Sequence, residues 1–185
     1  MNYTVTDALG IDATIKLIQE QLYSELIKRW SLTSSSNTNI DGYGRVYKNL
    51  KNGRKLPENY KGNGEYEDVF LNDKKDAHFL FLVSDDSKTE DEYVYTNKVK
   101  AVFIMDLEKC IDGDDRMDGN AHRDAVEILR NLAVSGKYTI TGYETGLEKI
   151  FSGYSILGIK YDDLQPYHCF AVLMDLNYKL TDKCS

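Results

Sequence analysis

The stretch from Asn97 to Gly136 constrains the fold most, because it reads as a strand, an acidic loop and a helix in direct succession. Val99, Ala101, Phe103, Met105 and Leu107 alternate with Lys100, Val102, Ile104 and Asp106. Both faces are largely apolar and polar residues mark one of them, the pattern of a strand near the middle of a sheet. Asp112, Gly113, Asp114, Asp115, Asp118 and Gly119 follow, a run that suits neither strand nor helix and predicts a turn-rich loop. Asn120 is then the expected N-cap of a helix in which Ala125, Ile128, Leu129 and Leu132 recur at helical spacing, up to Ser135 and a stop at Gly136. That helix turns one apolar stripe toward the sheet. Burying four such side chains contributes several kcal/mol, at about 1.5 to 3 each before ordering entropy is subtracted.

Upstream, Ile15, Ile18, Leu22, Leu26 and Trp30 fall at steps of three or four, and Leu17, Tyr23 and Ile27 widen the stripe. This predicts a first helix from Asp12, the expected cap, to Trp30, with Lys28 and Arg29 in the last turn where cations suit the helix dipole. Ser31 to Asp41 is polar and reads as a loop. Tyr43 to Leu50 reads as a short strand, Lys51-Asn52-Gly53-Arg54 as a turn with local positive charge, and Asn59 to Gly64, after Pro57, as loop. Tyr66 to Leu71 alternates as a second strand, Asn72 to Lys75 reads as a tight hairpin turn, and Ala77 to Val83 is a strongly apolar third strand. Together they predict an antiparallel meander leading into the central strand.

Residues 85–97 interrupt that meander with Asp85, Asp86, Lys88, Glu90, Asp91 and Glu92, and carry Tyr93 and Tyr95. As a loop this is longer than most connections in compact domains, so it is an interaction arm or a solvated hairpin extension. After the second helix, Tyr138 to Tyr143 reads as a short strand. Thr145 and Glu148 match a capping box for a brief helix holding Leu147, Ile150 and Phe151, ending near Gly153. In the last strand Phe170, Val172, Met174, Leu176 and Tyr178 share one face, Cys169, Ala171 and Leu173 the other, and Pro166 marks its start.

A chain of 185 residues, 42% of them hydrophobic, predicts a single α+β domain spanning 1–185. Its architecture is an antiparallel meander sheet packed by an N-terminal helix and a crossing helix, with extended loops at 31–42, 85–97 and 111–120. A net charge of -7 argues against a general grip on nucleic acid, although an acidic surface is useful beside DNA because it repels phosphates. Cys110, Cys169 and Cys184 are too few and too widely spaced for a disulfide framework, which fits a reducing compartment. The start Met1-Asn2-Tyr3 lacks a basic region followed by an apolar run, and no run approaches 18 apolar residues, so neither a signal peptide nor a membrane span is expected. Fourteen tyrosines against two prolines suit interfaces and sheet faces alike.

The residues that carry chemistry elsewhere do not assemble into a catalytic set. A calcium loop starting at Asp112 would continue with Asp114, but its fifth position is Arg116 and its twelfth Arg123, so the template fails. His168 and Cys169 are adjacent in a strand, point to opposite faces and cannot share a metal. His78 and His122 have no ligand spacing near them and read as packing or surface histidines. A Cys110–His122 pair lacks any surrounding motif for an activated thiol. Gly62-Asn63-Gly64 has no following lysine and serine and no strand-to-helix context, so it is no phosphate cradle. No cofactor and no metal ligand set is expected.

The order of a long N-terminal helix, a meander with a long hairpin, a crossing helix and a final strand resembles the tail-terminator and head-to-tail completion proteins of tailed bacteriophages. Gly44-Arg45-Val46-Tyr47, Pro57-Glu58, His78-Phe79-Leu80-Phe81 and Gln165-Pro166-Tyr167-His168-Cys169-Phe170 are similar to segments of neck and tail proteins of phages infecting gut Bacteroidetes. The likeness spans most of the chain, which departs from it in the acidic inserts 85–97 and 112–120. It implies a tail-terminator-like fold and a structural virion protein, not an enzyme, forming a homo-oligomeric ring at the neck or the head-proximal end of the tail. Adjacent neck, portal-adaptor or tail-tube proteins would be its partners, DNA would pass through without specific binding, and no membrane would be involved. Assembly would begin in the host cytoplasm. Subunit contacts fall to the arm, at Asp85, Asp86, Glu90, Glu92, Tyr93 and Tyr95. The competing classes are an acidic cytoplasmic binding or adaptor module and a metal-dependent enzyme using Asp112, Asp114, Asp115 and Asp118.

Overall fold

Alternation of apolar side chains along three long strands builds the centre of the molecule. The computed structural model describes residues 1–33, 39–69, 74–91, 93–111, 117–156 and 166–180. In chain order these form β1 (Asn2–Tyr3), α1 (Ile11–Arg29), β2 (Ile40–Lys51), β3 (Arg54–Gly62), β4 (Glu65–Asp68), β5 (Ala77–Asp91) and β6 (Val94–Asp106). Then follow α2 (Leu107–Cys110), α3 (Met117–Asn131), a 3-10 turn, β7 (Tyr138–Thr145), α4 (Leu147–Ile150) and β8 (Tyr167–Lys179). The fold is mixed α+β, with one mostly antiparallel open sheet in the order β4-β3-β2-β5-β6-β8-β7 and β1 beside β2. β6 is central and pairs along its whole length with β8, from Val94↔Lys179 to Asp106↔Tyr167.

The period of two puts Val99, Ala101, Phe103 and Met105 on one face, together with Phe170, Val172, Met174 and Leu176 of β8. α1 and α3 cover that face through Ile15, Ile18, Leu22, Leu26, Ala125, Ile128 and Leu129, all buried, as their helical stripes predict. Phe103 lies at its middle, stacked on Phe170 at 4.9 Å and edge-on to Trp30 at 6.1 Å. The second face holds Leu80, Leu82, Val102, Ile104, Cys169 and Ala171 beneath Leu147, Ile150 and Phe151. Among the described residues the short α4, the chain just after it and Val69 pack on this face.

Several expectations need correction. β2 runs parallel to β5, from Ile40↔Ala77 to Val46↔Leu82, and β1 parallel to β2, so the sheet is not a pure antiparallel meander. β3 and β2 separate β4 from β5, so those two strands are not paired with one another, and residues 72–73 of the expected turn lie outside the described residues. Residues 59–62 of the expected loop 59–64 belong to β3, whereas the turn expected at 51–54 forms: Lys51↔Arg54 closes it with Asn52 at φ 51° and Gly53 at φ 75°, the left-handed pair that matches strand twist. β4 stops at Asp68, and Phe70 and Leu71 lie outside the described residues.

The expected loop at 85–97 is mostly strand, with Ser87↔Asn97, Lys88↔Thr96 and Thr89↔Tyr95 extending the β5–β6 ladder. Residues 40–42 of the expected loop 31–42 belong to β2, and α3 begins at Met117, so Asn120 lies inside the helix and does not cap it. Nor does Asp12 cap α1, whose N-cap is Gly10; Asp12 accepts instead from Tyr47 at 3.4 Å and lies 3.8 Å from Arg45. α4 forms as expected, but its N-cap is Gly146 and Thr145 ends β7.

Two polar ties fix α1. Gln19, buried, donates through Nε2 to Asn2 Oδ1 at 2.9 Å, Tyr3 O at 2.9 Å and Gly42 O at 3.2 Å. At the other end, Asp124 of α3 accepts from Trp30 Nε1 at 3.3 Å and Arg29 Nη1 at 2.9 Å.

Candidate interaction site

The parallel pairing of β2 with β5 ends at Val46↔Leu82, and beyond it the two strands part. β2 turns back through β3 and β5 turns back through β6, so two hairpins leave the same end of the sheet. The sequence makes them opposite. Between Tyr47 and Leu56 the charged residues are Lys48, Lys51, Arg54 and Lys55, all exposed, with Leu50 74% exposed among them. Between Ser84 and Asp91 they are Asp85, Asp86, Glu90 and Asp91 against a single Lys88, also exposed.

Of the arm residues expected from sequence, Asp85, Asp86 and Glu90 are exposed and Tyr93 is 59% exposed. Tyr95 is different: it is half-buried and stacked on Tyr178 at 5.8 Å, so it fastens the hairpin to β8. Glu92 lies outside the described residues. Ser84, Ser87, Asn97 and Tyr178 form a hydrogen-bonded cluster at the base of the hairpin, which holds the arm as a continuation of the sheet.

An open cleft of about 730 Å³ occupies the fork between the hairpins on the sheet's second face. Lys48, Asn49, Ser84 and Asp85 line its mouth, and Leu82, Leu173 and Ile150 its floor. Lys100 in its wall is paired with Glu144 at 2.7 Å, and Lys48 Nζ sits 5.0 Å over the Tyr154 ring. Alternating strand residues explain this lining: Lys98 and Lys100 occupy the positions that Val102 and Ile104 fill deeper in the core.

The histidines are arranged in a way that spacing did not reveal. His122 of α3 and His168 of β8 meet with Nε2 atoms 2.8 Å apart, enclosed by Tyr143 and Phe170 at 5.3 Å and 4.5 Å from the His122 ring. Burial, then the neighbouring His168, holds the His122 pKa below its ordinary value, and Asp118 works the other way. The signal was present: His122 lies on the α3 stripe with Ala125 and Leu129, and His168 on the β8 face with Phe170. His78 is on the opposite face, buried and stacked on Tyr43.

Cys110 is buried in α2 with Sγ 3.5 Å from Asp76 O. Its thiol is pushed up to about 12, by burial first and then by Asp76 and Asp106, the reverse of an activated nucleophile. Asp118 is exposed in the first turn of α3, while Asp112, Asp114 and Asp115 lie outside the described residues, as does Cys184. Among the described residues no group of three or more His, Cys, Asp or Glu side chains is placed to hold a metal ion. No described helix is long and apolar enough to cross a membrane. No protein-family model matches the sequence, and no curated protein matches it.

Proposed function

We propose that this chain is a structural virion protein that forms a ring at the neck of a tailed bacteriophage, or at the head-proximal end of its tail, and joins head to tail around the DNA channel. One observation carries the reading: the β5–β6 hairpin continues the sheet past the core as an arm on which Asp85, Asp86, Glu90 and Tyr93 are exposed among the described residues. The resemblance in element order and in the segments around Arg45, Phe79 and Pro166 supplies the context. In such a ring the chain performs no reaction, and its partners are further copies and the adjacent neck, portal-adaptor or tail-tube proteins. The acidic balance lets DNA slide through a lumen without being held. The protein then works in the virion, after assembly in the host cytoplasm.

Ring closure requires heterologous contacts, with two different surfaces of each subunit complementing one another. Negative-stain imaging of the purified protein, alone and on isolated tails, tests the proposal. Rings of uniform diameter with a hole wide enough for duplex DNA support it. Particles without rotational symmetry in both preparations overturn it.

A further inference from the structure

We infer that the acidic β5–β6 hairpin of one copy docks on the basic β2–β3 hairpin of the next copy; this rests on the ring reading above and names its contact. The two hairpins have opposite charge, and of the four cations on the basic one Lys51 pairs with Glu58 at 3.6 Å. Residues 47–56 hold four cations and no acid, and residues 84–91 hold four acids and one cation. Among the described residues no ion pair links one hairpin to the other, because the strands splay where their pairing ends at Val46↔Leu82.

Each hairpin also exposes one large apolar side chain, Leu50 at 74% on the basic one and Tyr93 at 59% on the acidic one. An aromatic and an aliphatic anchor ringed by opposite charges is the composition of a small interface with an apolar centre and a polar rim. In a ring, one neighbour satisfies the acidic hairpin and the neighbour on the other side satisfies the basic one. This heterologous pairing propagates from subunit to subunit, as ring closure demands. The cleft at the fork leaves room for the incoming hairpin beside Lys48 and above Leu82 and Leu173.

Charge reversal tests this on the full chain. One variant carries Asp86→Lys and Glu90→Lys, the other Arg54→Glu and Lys55→Glu; all four side chains are exposed, and unchanged thermal unfolding checks that both variants fold. Sedimentation velocity reads assembly. Each variant alone should need about tenfold or more concentration to reach half-assembly, because like charges now face one another. An equimolar mixture should regain assembly with both variants present in equal amounts, since each then meets its complement. Assembly of both single variants at the wild-type concentration overturns the pairing and leaves the ring reading standing. Wild-type chains that associate neither alone nor on isolated tails remove both. Retention of duplex DNA by the wild type that is lost with Arg54→Glu and Lys55→Glu, with assembly unchanged, makes the basic hairpin a nucleic-acid contact and also overturns the pairing.

Discussion

His122 Nε2 and His168 Nε2 lie 2.8 Å apart, so in the folded protein one ring nitrogen donates to the other's lone pair. Protonating both rings would bring two cations together beside Tyr143 and Phe170.

This gives the fold an acid sensitivity whose direction is fixed. The folded-state pKa of His122 lies below its ordinary 6.5, so the unfolded chain binds more protons as the pH falls past that value. The stabilisation is fully present above about pH 6.5 and is lost as the pH drops toward the folded pKa. Thermal unfolding midpoints between about pH 7 and 5 should fall for the wild type and fall less for His122→Gln. Parallel curves would show that the pair does not govern acid stability.

Asp124 joins the two helices of the covered face by accepting from Trp30 Nε1 and Arg29. Asp124→Ala leaves the Trp30 N–H without its acceptor in a site where Trp30 is 3% exposed. The expected loss in urea unfolding is about 1 to 3 kcal/mol, and Asp124→Asn, which keeps an acceptor, should lose less.

Gly42 marks a close approach between β2 and the core. A Cβ built there meets Phe79 Cε1 and Cζ at 2.6 Å, with Asn2 Oδ1 at 3.0 Å. Gly42→Ala should cost about 1 to 3 kcal/mol by overpacking. If Phe79 is the obstacle, Gly42→Ala combined with Phe79→Leu will be less destabilised than the sum of the single variants. Additive losses would place the strain elsewhere.

The cysteines bear on whether Cys110 can act as an activated thiol. Cys110 and Cys169 are both buried free thiols, and burial keeps Cys110 protonated at neutral pH. In a Cys184→Ser chain, a thiol reagent at pH 8 should label neither until denaturant is added, when both react. Fast labelling of Cys110 in the native protein would restore it as a candidate nucleophile.

The layered core was legible because its signals are periodic. The α1 stripe at Ile15, Ile18, Leu22 and Leu26, the α3 stripe and the alternation of β6 and β8 all place apolar side chains where the structure buries them. β3 was hidden because it is built from polar residues: Glu58 and Asn59 are buried there, with Asn49 donating to Glu58 at 2.9 Å and Lys51 3.6 Å away, and Pro57 reads as a breaker. The hairpin beyond Val83 was hidden for a related reason, since exposed strand carries no hydrophobic period and its charges mimic a loop. The parallel β2–β5 pairing brings together strands separated by two hairpins, and nothing local encodes it. His122 and His168 are 46 residues apart, so their meeting depends on how α3 crosses β8.

Self-association is the central claim, and sedimentation velocity of the wild-type protein over a wide concentration range tests it most directly. The account predicts growth from monomer to one closed species whose mass is a fixed multiple of 21.2 kDa and rises no further, with assembly weakened by added salt. A monomer at every concentration, or an open series of ever larger species that salt does not affect, would contradict it.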